Sequence, residues 1–355
     1  MDTSSENRES LPFNPSGPAE WLMETFNDTP RYLFHVSAPK SEGETSSSWA
    51  KSKDALAARA SSTRDIFGRS PNYVANMLSK HLERKRNLKF DNFVSWTSSL
   101  LFALQYMFYR HQEDRSPLES ISLYIVDTTL FPKGVFVRDM DLVSVYTPSH
   151  EELANLERVR GGRNDTQSGY TDPLRYMYFG EYLSQGALRI EGKYGVVSAQ
   201  KMIDHGLFSV RPEFKASKRF NLGLESRVVQ LRKIFDSHSF EHRELEKEIH
   251  AAISIADLFG SVWRAPMAVA LMGLRPSARP DVAVICQKLA DAFPGTSSAY
   301  DTEILGIQLT LYLLELTHYD YPVPTKEQPF KRLLPEVRHF EAIMTELSKY
   351  VTIPV

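Results

Sequence analysis

The amino-acid sequence predicts an α+β fold: one mixed domain of short strands and helices, followed by an α-helical C-terminal region. Over the first two-thirds of the chain, short β-branched and aromatic runs are interleaved with stretches whose apolar residues recur every three or four positions. The runs neither repeat nor alternate regularly with helices, which argues against a doubly wound sheet. From about residue 221 the strand-like runs stop and charged, helically spaced segments take over.

Residues 1–29 are rich in Ser, Asn, Pro and Glu and read as a disordered lead. Residues 31–36 (Arg-Tyr-Leu-Phe-His-Val) form the first expected strand, and the stretch from Ser37 to Lys53, with Pro39, Gly43 and several serines, reads as a loop. A helix is expected over 71–86: Val74, Met77, Leu78, His81 and Leu82 share one face, Pro71 takes the first helical position, and Ser70 is the cap. Residues 93–97 (Phe-Val-Ser-Trp-Thr) give a second strand. It runs into Ser98 as a cap and a helix from Ser99 to about His111, with Leu100, Leu101, Leu104, Met107 and Phe108 on its apolar face.

Strands are expected next at 121–126 and 134–138, then a short helix over 149–159 and a Gly/Asn/Asp/Ser loop over 160–173. Three strand-like pieces, 177–182, 187–191 and 195–197, lead to a short helix capped by Ser198 and ended by Gly206. Beyond a boundary near Ser217, helices are expected over 222–260, 304–316 and 336–350. The domains thus read as a lead (1–29), an α+β domain (30–216) and a helical region (217–355).

Composition narrows the function classes. With 42% hydrophobic and 24% charged residues, the chain can build a sizeable core. A net charge of −2, from 42 basic and 44 acidic side chains, gives no global pull toward nucleic acid or an anionic membrane, so neither is expected as a partner. The single cysteine, Cys286, cannot form an internal disulfide or a Cys-rich zinc site, and it reads as a core residue of an apolar helix. The N-terminal stretch lacks an apolar signal region, and the apolar segment 253–274 is interrupted by Asp257, Arg264 and Pro266. An intracellular protein, cytoplasmic or nuclear, is the expectation.

Three short pieces carry the chemistry. Tyr32-Leu-Phe-His-Val-Ser37 ends a strand; Phe93-Val-Ser-Trp-Thr-Ser-Ser-Leu100 joins a strand to a helix; Phe179-Gly-Glu-Tyr-Leu-Ser-Gln-Gly-Ala-Leu188 places one carboxylate on a strand before a Gly-containing turn. Their order resembles the three-motif active site of the enterotoxin-like mono-ADP-ribosyltransferases, over roughly residues 32–197. The stretches 91–110, 126–138 and 178–212 also look like a large family of uncharacterised proteins from filamentous fungi, which carries no known activity.

The ADP-ribosyltransferase resemblance implies an NAD-consuming site with no metal. Glu181 would be the catalytic carboxylate, and Ser95 would fix its rotamer. Thr97 would match the last hydroxyl of the second motif, and His35, with Arg31 close by, would bond a ribose hydroxyl or stand in for an anion-binding early-strand Arg. Tyr106 or Tyr109 would stack on nicotinamide, and the helix start near Ser99 would offer N–H groups to a phosphate. A carboxylate beside the ribose suits the oxocarbenium-like cation formed when the nicotinamide–ribose bond breaks. The chain departs from the pattern at His35, at Trp96 and at Phe179, where arginine-modifying members carry a second acid.

Each residue also has a plain structural explanation. Glu181 suits an exposed strand, Ser95 and Thr97 suit simple alternation, His35 suits a core histidine, and Tyr106 and Tyr109 suit local packing. Two functional readings therefore stand side by side. One is a transferase or glycohydrolase acting on NAD and an unknown acceptor; the other is a catalytically degenerate scaffold using its helical tail for a protein partner. His238-Ser-Phe-Glu-His242 fits an H-x-x-E-H zinc pattern, but its surroundings read as a charge-laced solvated helix face. Gly161-Gly162 lacks the Gly-Lys-Ser/Thr ending of a P-loop.

Overall fold

The computed structural model describes residues 9–161, 178–216, 223–236, 244–276, 279–293 and 334–351. Two units separate: Met1–Gln200 with Leu222–Val229, and Lys201–Asn221 with Gln230–Val355.

Among its described residues, the first unit carries β1 (Tyr32–Ser37), β2 (Glu44–Thr45), β3 (Trp49–Lys51), β4 (Phe93–Thr97), β5 (Ser122–Asp127), β6 (Val137–Arg138), β7 (Glu181–Gln185), β8 (Ala187–Arg189) and β9 (Tyr194–Ser198). Its helices include α1 (Leu22–Thr25), α2 (Lys53–Leu56), α3 (Pro71–Leu82), α4 (Leu100–Asp114), α5 (Asp139–Tyr146) and α6 (Glu151–Gly161). Six strands form one antiparallel sheet in the order β6-β7-β4-β1-β5-β9, and β2-β3-β8 form a second sheet. The fold class is α+β, as the mixture of short strands and helices implies.

Register decides which side chains meet. Phe34 opposes Thr97 across β1 and β4, while Ser95 and Thr97 oppose Leu183 and Glu181 across β4 and β7. Directly opposed residues share a face, so Phe34, Ser95, Thr97 and Glu181 project one way. His35, Trp96 and Tyr182 project the other way. The second face is apolar: Leu33, Val94, Trp96, Tyr124, Val126 and Tyr182 cluster there with Ala50 and Leu188 of the small sheet. The first face meets α3 and α4, with His81 reaching Ser95.

The strand at 93–97 has the limits its pattern predicts. Elsewhere the fold differs from expectation for identifiable reasons. The stretch 37–53, expected as a loop, holds β2 and β3, each too short to show a period, and they exist by pairing with each other and with β8. Ser99, not Ser98, caps α4: its hydroxyl accepts from the Phe102 N–H, while the Ser98 N–H bonds the Gly180 carbonyl of the neighbouring strand segment. The chain turns from β6 directly into α5, a helix the sequence reading did not separate. The strand expected over 177–182 runs instead from Glu181 to Gln185. Residues 9–29, expected to be disordered, pack: Leu22 and Phe13 are buried, and Leu11 bridges Gln185. Of the expected 160–173 loop, Arg160 and Gly161 end α6, and the rest lies outside the described residues.

After α7 (Ala199–Asp204), the chain continues through the short α8 (Leu207–Val210) and α9 (Glu213–Ala216) to α10 (Leu224–Lys233), α11 (Leu245–Asp257), α12 (Arg264–Met272), α13 (Arg279–Ala292) and α14 (Pro335–Val351). The continuous helix expected over 222–260 is therefore broken, with a 3-10 turn at Ile234–Asp236 ending its first part. His238, His242 and the helix expected over 304–316 lie outside the described residues. In the second unit Cys286 is buried beside the Ile343 carbonyl, and a buried Arg232–Glu336 pair at 2.8 Å joins its elements. Among the described residues, no helix is long and apolar enough to cross a membrane.

Candidate functional site

The site begins where β1 and β4 part. The two strands are paired at Phe34 and Thr97, and beyond that point a cleft opens whose wall includes Ser95, Glu181, His81, Arg84, His35 and Tyr106. Ser95 donates its hydroxyl to Glu181 Oε1 at 2.8 Å. The two side chains meet because β4 and β7 place them on the same face as diagonal neighbours, two register positions apart. The turn after Glu181 is set by Gly186, whose φ is +68° and where a Cβ would lie 2.5 Å from the Ser62 carbonyl oxygen.

Glu181 is only 2% exposed. Its second oxygen faces Arg160 Nη1 at 3.2 Å and Arg84 Nη2 at 3.4 Å. Burial alone would raise its pKa, but Arg84, Arg160, His81 and the Ser95 hydrogen bond together hold it below the ordinary carboxylate value. Arg160 also pairs with Asp139 at 2.8 Å and donates to the Leu82 carbonyl. Asp139 is fully buried and is pushed up to about 7 by burial and by the Glu181 charge, against the pull of Arg160. Both guanidiniums lie against Phe179, whose ring is 5.1 Å from Arg84, 5.2 Å from Arg160 and 4.6 Å from the stacked Phe102 ring.

Arg84 stands at a special backbone position. It follows the last turn of α3 with φ +53°, and Lys85 N–H bonds Lys80 O at 3.1 Å while Arg84 N–H bonds His81 O at 2.9 Å. This is the double-bonded helix ending that usually places glycine at the left-handed residue. An arginine there carries backbone strain of about 1 kcal/mol, and its side chain reaches Glu181 and the cleft rings.

The remaining polar contacts order the serine. His81 Nε2 lies 2.8 Å from Ser95 Oγ, and His81 Nδ1 lies 2.8 Å from Asp91 Oδ2. Four side chains thus form one line, Asp91–His81–Ser95–Glu181. Burial would lower the His81 pKa, but Asp91 and Glu181 outweigh it and raise the ring above its ordinary value.

The residues expected at the site divide into three groups. Ser95 and Glu181 meet directly, and Tyr106 and Tyr109 line the cleft in a ladder: Phe102–Tyr106 and Tyr106–Tyr109 both stack at 5.9 Å. Thr97 and His35 also reach the cleft, but their polar atoms are engaged within the protein. The Thr97 hydroxyl donates to the Phe179 carbonyl at 2.7 Å and accepts from Ser99 N–H at 2.9 Å. His35 donates Nδ1–H to the Ser95 carbonyl at 2.7 Å and accepts from Thr45 at Nε2, 2.9 Å away. Its ring sits 5.0 Å from Trp96, and burial lowers its pKa to about 4, so it is a neutral ring at pH 7 rather than a substitute for arginine. Arg31 lies apart from the cleft wall, paired with Asp127 at 3.0 Å.

At the start of α4, the N–H groups of Ser98, Ser99 and Phe102 are all bonded to protein oxygens, so the expected phosphate cradle is already filled at those three donors. The sequence reading missed His81, Arg84, Asp91 and Arg160. Their one visible signal was His81, a histidine on an otherwise apolar helix face. Among the described residues, no group of three or more His, Cys, Asp or Glu side chains is placed to hold a metal ion.

Residues 28–189 match a family model described as Domain of unknown function (DUF7587). That stretch contains β1 to β8 and the site side chains described above. Comparison with curated proteins and with solved structures finds no match.

Proposed function

We propose that the cleft cleaves the bond between nicotinamide and ribose in NAD, passing ADP-ribose to water or to an acceptor. The observation that carries this reading is the 2.8 Å hydrogen bond from Ser95 to Glu181, with the carboxylate held in its charged form on the cleft wall. When the glycosidic bond breaks, nicotinamide leaves with the bonding electrons and the ribose carbon becomes cationic. A fixed carboxylate stabilises that cation without reorganising. Tyr106 and Tyr109 on the cleft wall offer ring surface to an aromatic leaving group, and Arg84 beside them offers positive charge to a pyrophosphate.

A second reading is favoured by the two guanidiniums already on Glu181 and by the occupied N–H groups of Ser98, Ser99 and Phe102 at the start of α4. In that case the chain keeps the arrangement without cleaving NAD and serves as an interaction scaffold.

Nicotinamide release from NAD by the full chain, wild type beside Glu181→Gln, separates the two. The first reading predicts release that the variant loses by about 100-fold or more. No release by wild type, with no NAD-induced rise in melting temperature, leaves the scaffold.

A further inference from the structure

We propose that His81, held by Asp91, is a positioning residue that keeps the Ser95 hydroxyl proton on Glu181. The inference deepens the NAD reading and rests on it for its kinetic consequence, although the proton order itself does not.

Ser95 has one hydroxyl hydrogen and two polar neighbours, Glu181 Oε1 at 2.8 Å and His81 Nε2 at 2.8 Å. With Glu181 charged, Oε1 can only accept, so the hydrogen lies toward it. His81 Nε2 must then donate. His81 Nδ1, 2.8 Å from Asp91 Oδ2, must donate as well. Only the doubly protonated ring satisfies all three bonds. Of the charged groups that face it, Asp91 from the segment before β4 and Glu181 from β7 favour the imidazolium and outweigh Arg84, beyond the end of α3, which opposes it.

Asp, His and Ser in this line also build nucleophilic triads, where the imidazole nitrogen facing serine is bare and takes its proton. Here Glu181 as the fourth member reverses the order, so the serine orients a carboxylate and does not attack. When the ring loses its Nε2 proton to solvent at higher pH, the bare nitrogen becomes the acceptor. The Ser95 hydrogen turns to it, and Glu181 Oε1 loses its donor. Cleavage should therefore fall on the alkaline side.

The test uses the full chain and has two arms. In the first, 15N NMR of the histidine rings at pH 7 should show both His81 nitrogens protonated, and a fluorophosphonate probe should leave Ser95 unlabelled. A bare Nε2, or labelling at Ser95, overturns the proposal. In the second, nicotinamide release is followed against pH. His81→Gln, whose amide donates but does not titrate, should keep most of the release and lose the alkaline fall; His81→Leu should lose release by about 10- to 100-fold at every pH. Asp91→Asn should move the alkaline fall to lower pH. An unchanged profile in His81→Gln contradicts the proposal. If wild type releases no nicotinamide at any pH, the NAD reading fails, and the first arm still decides the proton order.

Discussion

On one face of β4, Ser95 and Thr97 meet Glu181, His81 and two guanidiniums; on the other, Val94 and Trp96 meet His35, Tyr124 and Tyr182. These are alternate residues of one five-residue strand. The faces nonetheless treat the same side-chain type in opposite ways. His81, between two carboxylates, is raised above its ordinary pKa, whereas His35, among aromatic rings and hydrogen-bonded to a carbonyl and a hydroxyl, is lowered to about 4. Burial lowers both; what differs is whether carboxylates stand close enough to outweigh it.

The comparison breaks first if the charged face is not held by its cations. Arg160 is buried with two carboxylates on one nitrogen. Arg160→Met, similar in volume, leaves Asp139 and Glu181 short of a partner and should cost about 3–5 kcal/mol. Urea unfolding measures it, and a loss below about 1 kcal/mol would show that the cluster is not the support described.

A smaller effect sharpens the same point. Arg84→Gly and Arg84→Ala both remove the guanidinium from Glu181, but only alanine keeps a Cβ at φ +53°. Glycine should be the more stable of the two by about 1 kcal/mol. Equal stabilities would mean that the left-handed turn carries no strain.

How much of this was legible follows from the same geometry. The Ser95–Glu181 pair was an expectation from the family resemblance alone: alternation puts Ser95 and Thr97 on one strand face, but the β4–β7 register that brings Glu181 to them is not written in either strand. Alternation within β4 turns Trp96 away from Ser95. His81 was visible only as a polar residue in an apolar stripe, since its partners come from the segment before β4 and from β4 itself. Arg84 falls inside the helix expected over 71–86, and nothing local reveals that a left-handed residue past the helix end aims it at a strand. Arg160 sits at the close of α6, where the glycine-rich sequence that follows signalled a loop. β2 and β3 escaped notice for a related reason, because such short strands are specified by the sheet they complete. Periodicity finds residues that share an element's face; it does not find those that another element delivers.

The most direct measurement is the pH dependence of unfolding free energy from pH 4 to 9, for wild type beside His35→Gln and His81→Gln. For His35, the unfolded chain binds a proton near pH 6.5 and the folded chain only near 4, so stability falls as pH drops through that window, by up to about 3 kcal/mol. For His81, the folded ring holds its proton longer than the unfolded one. Its contribution is fully present below about pH 6.5 and is lost as pH rises through the folded value. The account predicts that His35→Gln flattens the acid limb alone and His81→Gln the alkaline limb alone. Both variants flattening the same limb, or neither changing either, would contradict it.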